Sequence, residues 1–349
     1  VRGSLSRLHE PAPSAPEKFS KPHPSTMDAA LIVARHGGAL DRRRLLELGA
    51  TDHDLRRALK SGTLNRPRRG WYSTWPEGDP RFRAMRVGGR LTGISAIAAW
   101  GGWVLGEHPV HVAVPTNAAR LRTQWRRDHR RTDAQPDGAV VHWVAPTHDR
   151  GSSTGVVDLL EALELVCRVE PLEQAVAAID WALTTGRIDR IDRAALAQRM
   201  GHIGPLVDLA DERCESLPES LARSRLRATG LHVHTQVRWK GGLERIDLVI
   251  EGVVALEVDG EQFHRDTFEE DRWRDLELTD AGYHALRPSA RQVFRRWRVV
   301  QAAVERALQA RGIHVLLHNS GVKALRQPAT RRWAAQHAAA RTPTPELWR

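Results

Sequence analysis

The chain has 349 residues, enough for two or three domains, and its 41% hydrophobic residues can supply a core for each. Its formal charge of +11 and pI near 10.7 are unusual for an enzyme of small acidic substrates; they point to a polyanion such as nucleic acid, with an anionic membrane surface as the competing reading. No long apolar run suggests a membrane span, and two cysteines, Cys167 and Cys214, without a C-x-x-C pair argue against structural zinc or a redox dithiol, so the reducing cytoplasm is the simplest compartment.

Residues 1–26 carry five prolines among few apolar neighbours and are expected to be a disordered tail, with no apolar h-region of a secretory signal peptide. A helical pattern follows Met27 so promptly that Met27 is the expected initiator. Within residues 27–79, Ala29 to His36 reads as a helix ended by Gly37-Gly38, Asp41 to Leu48 as a second capped by Gly49, and a third opens at Thr51 and runs to Lys60. Thr51 and Asp54 form a shortened-acid capping box. Leu55, Ala58 and Leu59 face inward, Arg56, Arg57 and Lys60 outward, and Asn65-Arg-Pro-Arg-Arg-Gly-Trp-Tyr72 reads as a basic β-wing. The pattern is that of a winged helix-turn-helix.

Gly38, Leu45, Gly49, Leu55, the Gly62-x-Leu64 element and Arg69-Gly-Trp-Tyr72 make this block similar to the N-terminal domain of AbiEi-family antitoxins of type IV toxin–antitoxin systems. That resemblance implies binding to operator DNA and leaves a toxin partner open. Arg56, Arg57 and Lys60 would enter a major groove, while Arg66, Arg68 and Arg69 would contact phosphates or a minor groove. The alternative is a solvated basic helix in a winged domain that binds protein.

Residues 80–212 read as an α+β connector without a catalytic constellation. Thr92 to Trp103 is expected as a small-residue helix, His108 to Pro115 and Val140 to Pro146 as strands, and Asp158 to Val169, Leu172 to Thr184 and Asp192 to Gln198 as helices. Between the strands lies the basic segment Arg120 to Arg131 with Trp125, either a phosphate contact or a solvated charge run.

The most informative stretch is Arg245 to His264, inside a C-terminal domain placed at 213–312. Ile246, Leu248 and Ile250 alternate with Asp247 and Val249, and Val254, Leu256 and Val258 with Ala255, Glu257 and Asp259, giving a hairpin of period two on both arms. A three-residue loop Glu251-Gly252-Val253 sets Asp247 opposite Glu257 and keeps the aliphatic triplets on the other face, whereas a two-residue turn would mix acids with core residues. Carboxylates so gathered repel one another, and a hard cation relieves the repulsion, so Asp247, Glu257 and Asp259 are candidate ligands of Mg²⁺ or Mn²⁺. A solvated acidic face on an ordinary hairpin is the bland alternative.

The order Glu219-Ser220 on a helix, Gln236 on a first strand, Ile246-Asp247-Leu248, Glu257-Val-Asp259-Gly260, His264, Asp271-Arg-Trp-Arg274-Asp275, Gly282 and Leu286-Arg287 resembles the family catalogued as domain of unknown function 559. This family is related to the very-short-patch repair endonucleases of the PD-(D/E)XK superfamily. The resemblance covers about a quarter of the chain and implies an αβββαβα core of restriction-endonuclease type. It implies further that Asp247 is the invariant acid, Glu257 the acid of the E-x-K element and Glu219 the acid of the first helix. Asp259 stands where that superfamily often has Lys, a departure shared with the family. His264, beyond the Gly260 turn, is a candidate general base or phosphate donor. Phe268 to Ala281 then reads as a helix in which Asp271, Arg274 and Asp275 form surface salt bridges, Tyr283 to Arg287 as a strand and Ala290 to Leu308 as one amphipathic helix. Residues 313–349 are expected to be a basic, largely flexible tail.

The expected fold class is therefore α+β / α/β multidomain. The expected function is a metal-dependent DNA endonuclease delivered by a winged helix. The alternative is an AbiEi-like regulator whose nuclease-like domain is catalytically silent.

Overall fold

The computed structural model describes residues 27–132, 137–145, 154–259 and 268–315. The expected N-terminal tail, His264, and all but the first residues of the expected C-terminal tail lie outside them. The described residues form a mixed α+β protein with three small sheets. No described helix is long and apolar enough to cross a membrane.

The N-terminal block surrounds a cluster containing Val33, Leu40, Leu45, Leu55, Leu64 and Tyr72. Asp28 caps α1 (Ala29–Arg35) and Asp41 caps α2 (Arg42–Glu47), each accepting backbone N–H groups that a first helical turn leaves unpaired. At α3 (Asp52–Lys60) both halves of the capping box form: Asp54 N donates to Thr51 Oγ1 at 3.2 Å and Thr51 N to Asp54 Oδ2 at 3.0 Å. Between α1 and α2, β1 (Ala39–Asp41) pairs antiparallel with β2 (Trp71–Ser73), Leu40 opposite Tyr72.

The middle block begins with α4 (Pro80–Val87), which has no counterpart in the sequence reading although Asp79 and Pro80 supply a cap and a first-turn proline. Strands β3 (Arg90–Leu91), β4 (Val110–Pro115) and β5 (Ala139–Val144) form a sheet in that order, β5 parallel to β4. Helix α5 (Gly93–Ala99) stops short of the expected Trp103. Gly101 turns the chain at φ +81°, and Gly102 packs so closely that a Cβ there would sit 2.3 Å from Ile97 Cγ2. Helices α6 (Leu159–Val169), α7 (Leu172–Thr184) and α8 (Arg190–Met200) follow as expected, and an unexpected 3₁₀ segment (Gly201–Leu209) closes the block. Leu163 and Val166 of the expected stripe are fully buried, with Leu159 packed beside them.

The C-terminal block runs α9 (Leu217–Arg227), β6 (Val233–Trp239), β7 (Glu244–Ile250), β8 (Val254–Leu256), α10 (Phe268–Asp280), β9 (His284–Leu286), α11 (Ala290–Arg295) and α12 (Trp297–Gln309). Its sheet has the order β6-β7-β8-β9, antiparallel except for the β8–β9 pair. Leu248, Ile250, Val254 and Leu256 pack with Leu221 and Leu226 of α9 and Val304 of α12, while Val249 and Ala255 meet Leu278 of α10 on the other face.

Ile250 stands opposite Val254, so the connection is the three-residue loop Glu251-Gly252-Val253, with Gly252 at φ +72°. Two details differ from the sequence reading. Ile246 joins the α10 side with Val237 and Trp239, because its strand partner β6 passes through a left-handed conformation at Gln236 (φ +51°) and the buried face changes there. The expected helix 290–308 breaks in two at Arg296 (φ −130°, ψ 35°), which ends α11 and precedes α12.

The middle and C-terminal blocks are joined through charge as well as apolar packing. Asp180 of α7 and Arg223 of α9 pair at 2.7 Å with neither side chain exposed, and Ser220 Oγ and the Asp211 N–H also donate to Asp180.

Candidate functional site

The acids of the C-terminal block gather where the β6–β7 ribbon changes its buried face. Asp247 follows Ile246, the residue that changes sides, and its Oδ2 accepts the Val258 N–H at 2.9 Å from the far arm of the hairpin. Its Oδ1 lies 3.3 Å from Gln236 Nε2, which also donates to Glu219 Oε2 at 3.2 Å. One amide thus ties the acid of α9 to the acid of β7. Among the described residues no cation pairs with Asp247. Burial, together with the charges of Glu219 and Glu257, pushes its carboxyl up to about 7.

Glu219, 6% exposed, is also a helix-capping group: Ser216 Oγ donates to its Oε1 at 2.7 Å and the Glu215 N–H to its Oε2 at 3.1 Å. Glu257, 7% exposed, is held by two guanidinium groups. Arg274 Nε donates to its two oxygens at 2.7 and 2.9 Å, and Arg287 Nη2 lies 2.7 Å from its Oε2. Arg287 also reaches Asp275 at 2.9 Å and Asp259 at 3.4 Å. Asp259 is fixed through its backbone, its N–H donating to the Pro288 carbonyl and its carbonyl accepting the Ala290 N–H.

Glu219, Asp247 and Glu257 therefore lie within electrostatic reach of one another, and Arg287 links Glu257 to Asp259. Among the described residues no three His, Cys, Asp or Glu side chains are arranged to hold a metal ion. Arg274 and Arg287 have no site role in the sequence reading, which pairs Arg274 within its own helix. The available signal was the acid itself: a carboxylate buried in a sheet requires a cationic or hydrogen-bonding partner.

The six basic candidates of the N-terminal block divide by environment. Arg56, Lys60 and Arg69 are exposed. Arg57 is exposed too, but folds back on Asp54 at 3.0 Å and on the Met27 carbonyl at 3.2 Å. Arg66 sits 5.9 Å from the centre of the Tyr72 ring. Arg68 is half-buried and donates to the Val87 carbonyl at 3.1 Å; burial, and then the charge of Arg122, hold it below the ordinary arginine range.

Neither the models of known protein families nor the curated proteins include a match to this chain.

Proposed function

We propose that the chain is a metal-dependent DNA endonuclease, in which a winged helix-turn-helix formed by α1–α3 and the β1–β2 ribbon brings a PD-(D/E)XK-like module to duplex DNA. The observation that carries this reading is Asp247: a half-buried carboxyl beside two other acids, without a cationic partner among the described residues and with its proton held up to about neutral pH. A partly buried acid in that state costs stability, and its carboxylate oxygens are of the type a hard divalent cation prefers. Asp247 would hold Mg²⁺ or Mn²⁺, joined by Glu257 once its arginines yield. Such an ion would supply a more acidic bound water and neutralise charge on the phosphodiester.

The protein's own groups have separable duties in this reading. Gln236 holds Glu219 and Asp247 together, and the Val258 N–H orients one Asp247 oxygen. Arg274 and Arg287 hold the Glu257 carboxylate in place and offer guanidinium groups to a phosphate. Arg56, Lys60 and Arg69 present charge to the DNA backbone and grooves.

A second reading, a DNA-binding regulator with a silent nuclease-like module, is favoured by the two arginines that already satisfy Glu257. Incubating the purified protein with supercoiled plasmid and Mg²⁺ or Mn²⁺, beside Asp247→Ala and Glu257→Ala, separates them. Nicking lost in both variants supports the endonuclease, absence of cleavage with either metal selects the regulator, and equal cleavage by all three proteins marks a contaminant and removes the support.

A further inference from the structure

We propose that Arg120–Arg131 is a second nucleic-acid contact, continuous with the basic loop 65–72, in which Trp125 is a stacking platform for an unpaired base. The proposal rests on the nucleic-acid-binding part of the reading above and is independent of hydrolysis and of groove contact by α3.

Six Arg and one Asp fall within these twelve residues, a surplus of five positive charges (6 − 1). The segment is held in shape. Arg122 bridges Arg130 across it, the Thr123 N–H donates to the His129 carbonyl at 3.1 Å, and the Arg131 N–H to the Leu121 carbonyl at 2.9 Å. Arg126, Arg127 and Arg130 remain exposed. A scaffolded run of arginines forms a surface for phosphate that does not have to be ordered at the moment of binding.

Trp125 stands on this scaffold with 56% of its surface exposed. It is fixed at three points: Arg86 Nη1 donates to its carbonyl at 2.7 Å, its indole N–H donates to the Asp137 carbonyl at 3.2 Å, and the Arg83 guanidinium lies over its ring at 4.7 Å from the centroid. A large apolar ring held in water against the hydrophobic effect, backed by a cation and flanked by arginines, is the combination that holds single-stranded nucleic acid without sequence preference.

The surface continues into the N-terminal block. The Arg122 N–H and Arg68 Nη1 both donate to the Val87 carbonyl, at 3.2 and 3.1 Å. Gly88 leaves the room for this meeting, since a Cβ there would lie 2.0 Å from Arg68 Nη1 and 3.3 Å from Leu121 Cδ2. Nucleic acid bound at the 65–72 loop would thus have an aromatic platform on the same connected surface, suited to a site where one strand is unpaired.

The test is fluorescence anisotropy of the full chain, without divalent metal, on a labelled single-stranded oligonucleotide and on the matching duplex. Trp125→Ala is expected to weaken single-strand binding about tenfold, the loss of one base-stacking contact, while Trp125→Phe keeps most of the affinity and duplex binding is unchanged. Arg126→Gln/Arg127→Gln/Arg130→Gln is expected to lower the log–log salt slope by roughly 2, at about 0.7 per lost contact to a single strand. Wild-type affinity in Trp125→Ala, or equal loss in the Phe variant, overturns the stacking role. If Arg56→Ala and Lys60→Ala leave duplex binding untouched while Trp125→Ala still weakens the single strand, the α3 reading falls and this inference stands. Tighter binding to phosphatidylserine vesicles than to either oligonucleotide would replace nucleic acid with a membrane surface and overturn it.

Discussion

Asp180 and Arg223 pair at 2.7 Å across the junction between α7 and α9, both without solvent exposure. Removing one member of such a pair leaves an uncompensated buried charge, so Asp180→Ala is expected to lower unfolding free energy by about 3–5 kcal/mol in urea titrations. The double variant Asp180→Leu/Arg223→Met is expected to recover most of the loss, because the site then carries no charge. It follows also that a fragment beginning at residue 172, which retains α7, is more stable than one beginning at 213. Equal midpoints for the two fragments would contradict that coupling.

The raised carboxyl of Asp247 sets a direction for pH dependence. Its folded value of about 7 lies above its ordinary value of 3.8, so between those limits the native state holds a proton that the unfolded chain releases. Stability from this group is therefore fully present below about pH 4 and lost as pH rises to about 7, by up to roughly 4 kcal/mol at about 1.4 kcal/mol per pH unit. Asp247→Asn is expected to unfold at higher urea than wild type at pH 8 and at the same urea near pH 4. A variant less stable than wild type at pH 8 would refute the burial argument.

His142 supplies the opposite slope. Burial pushes its imidazole down to about 4, and its Nε2 lies 3.2 Å from His111 Nδ1. The unfolded chain takes up a proton near pH 6.5 and the folded one does not, so stability declines as pH falls from about 6.5 toward 4. His142→Gln, which can still hydrogen-bond His111, is expected to flatten that decline in melting temperature between pH 7 and pH 5. An unchanged profile would show that the ring titrates alike in both states.

What the sequence made legible was local or periodic. The Thr51–Asp54 capping box depends on hydrogen bonds spanning three residues, and the Glu251-Gly252-Val253 loop follows from the parity of flanking aliphatic residues. The same parity misplaced Ile246, because the left-handed Gln236 on the neighbouring strand leaves no mark in β7 itself. Arg274 read as a helix-surface group because its acidic neighbours at i−3 and i+1 offered nearer partners, yet packing of α10 over the sheet carries it to Glu257, seventeen residues earlier. Likewise nothing such as Gly or Pro at Arg296 signals the break between α11 and α12. Helix α4 has a start signal in the sequence, Asp79-Pro80, a cap followed by a first-turn proline.

The two functional readings part most sharply at Arg274 and Glu257. Arg274 Nε spans both Glu257 oxygens, and its Nη groups reach the Glu244 carboxylate and the Arg245 carbonyl, so Arg274→Ala releases several charge-assisted bonds at once. The expected loss without metal is about 2 kcal/mol, since Arg287 still holds Glu257 but the bonds from Arg274 to Glu257, Glu244 and the Arg245 carbonyl are gone. If the site takes a divalent ion, the freed carboxylate makes it a better receptor, and millimolar Mg²⁺ or Mn²⁺ should raise the melting temperature of Arg274→Ala more than that of wild type. The added Asp247→Asn change should abolish the increment. If the module is a silent platform, the arginine is purely structural, and the loss in Arg274→Ala will be the same in Mg²⁺ and in EDTA.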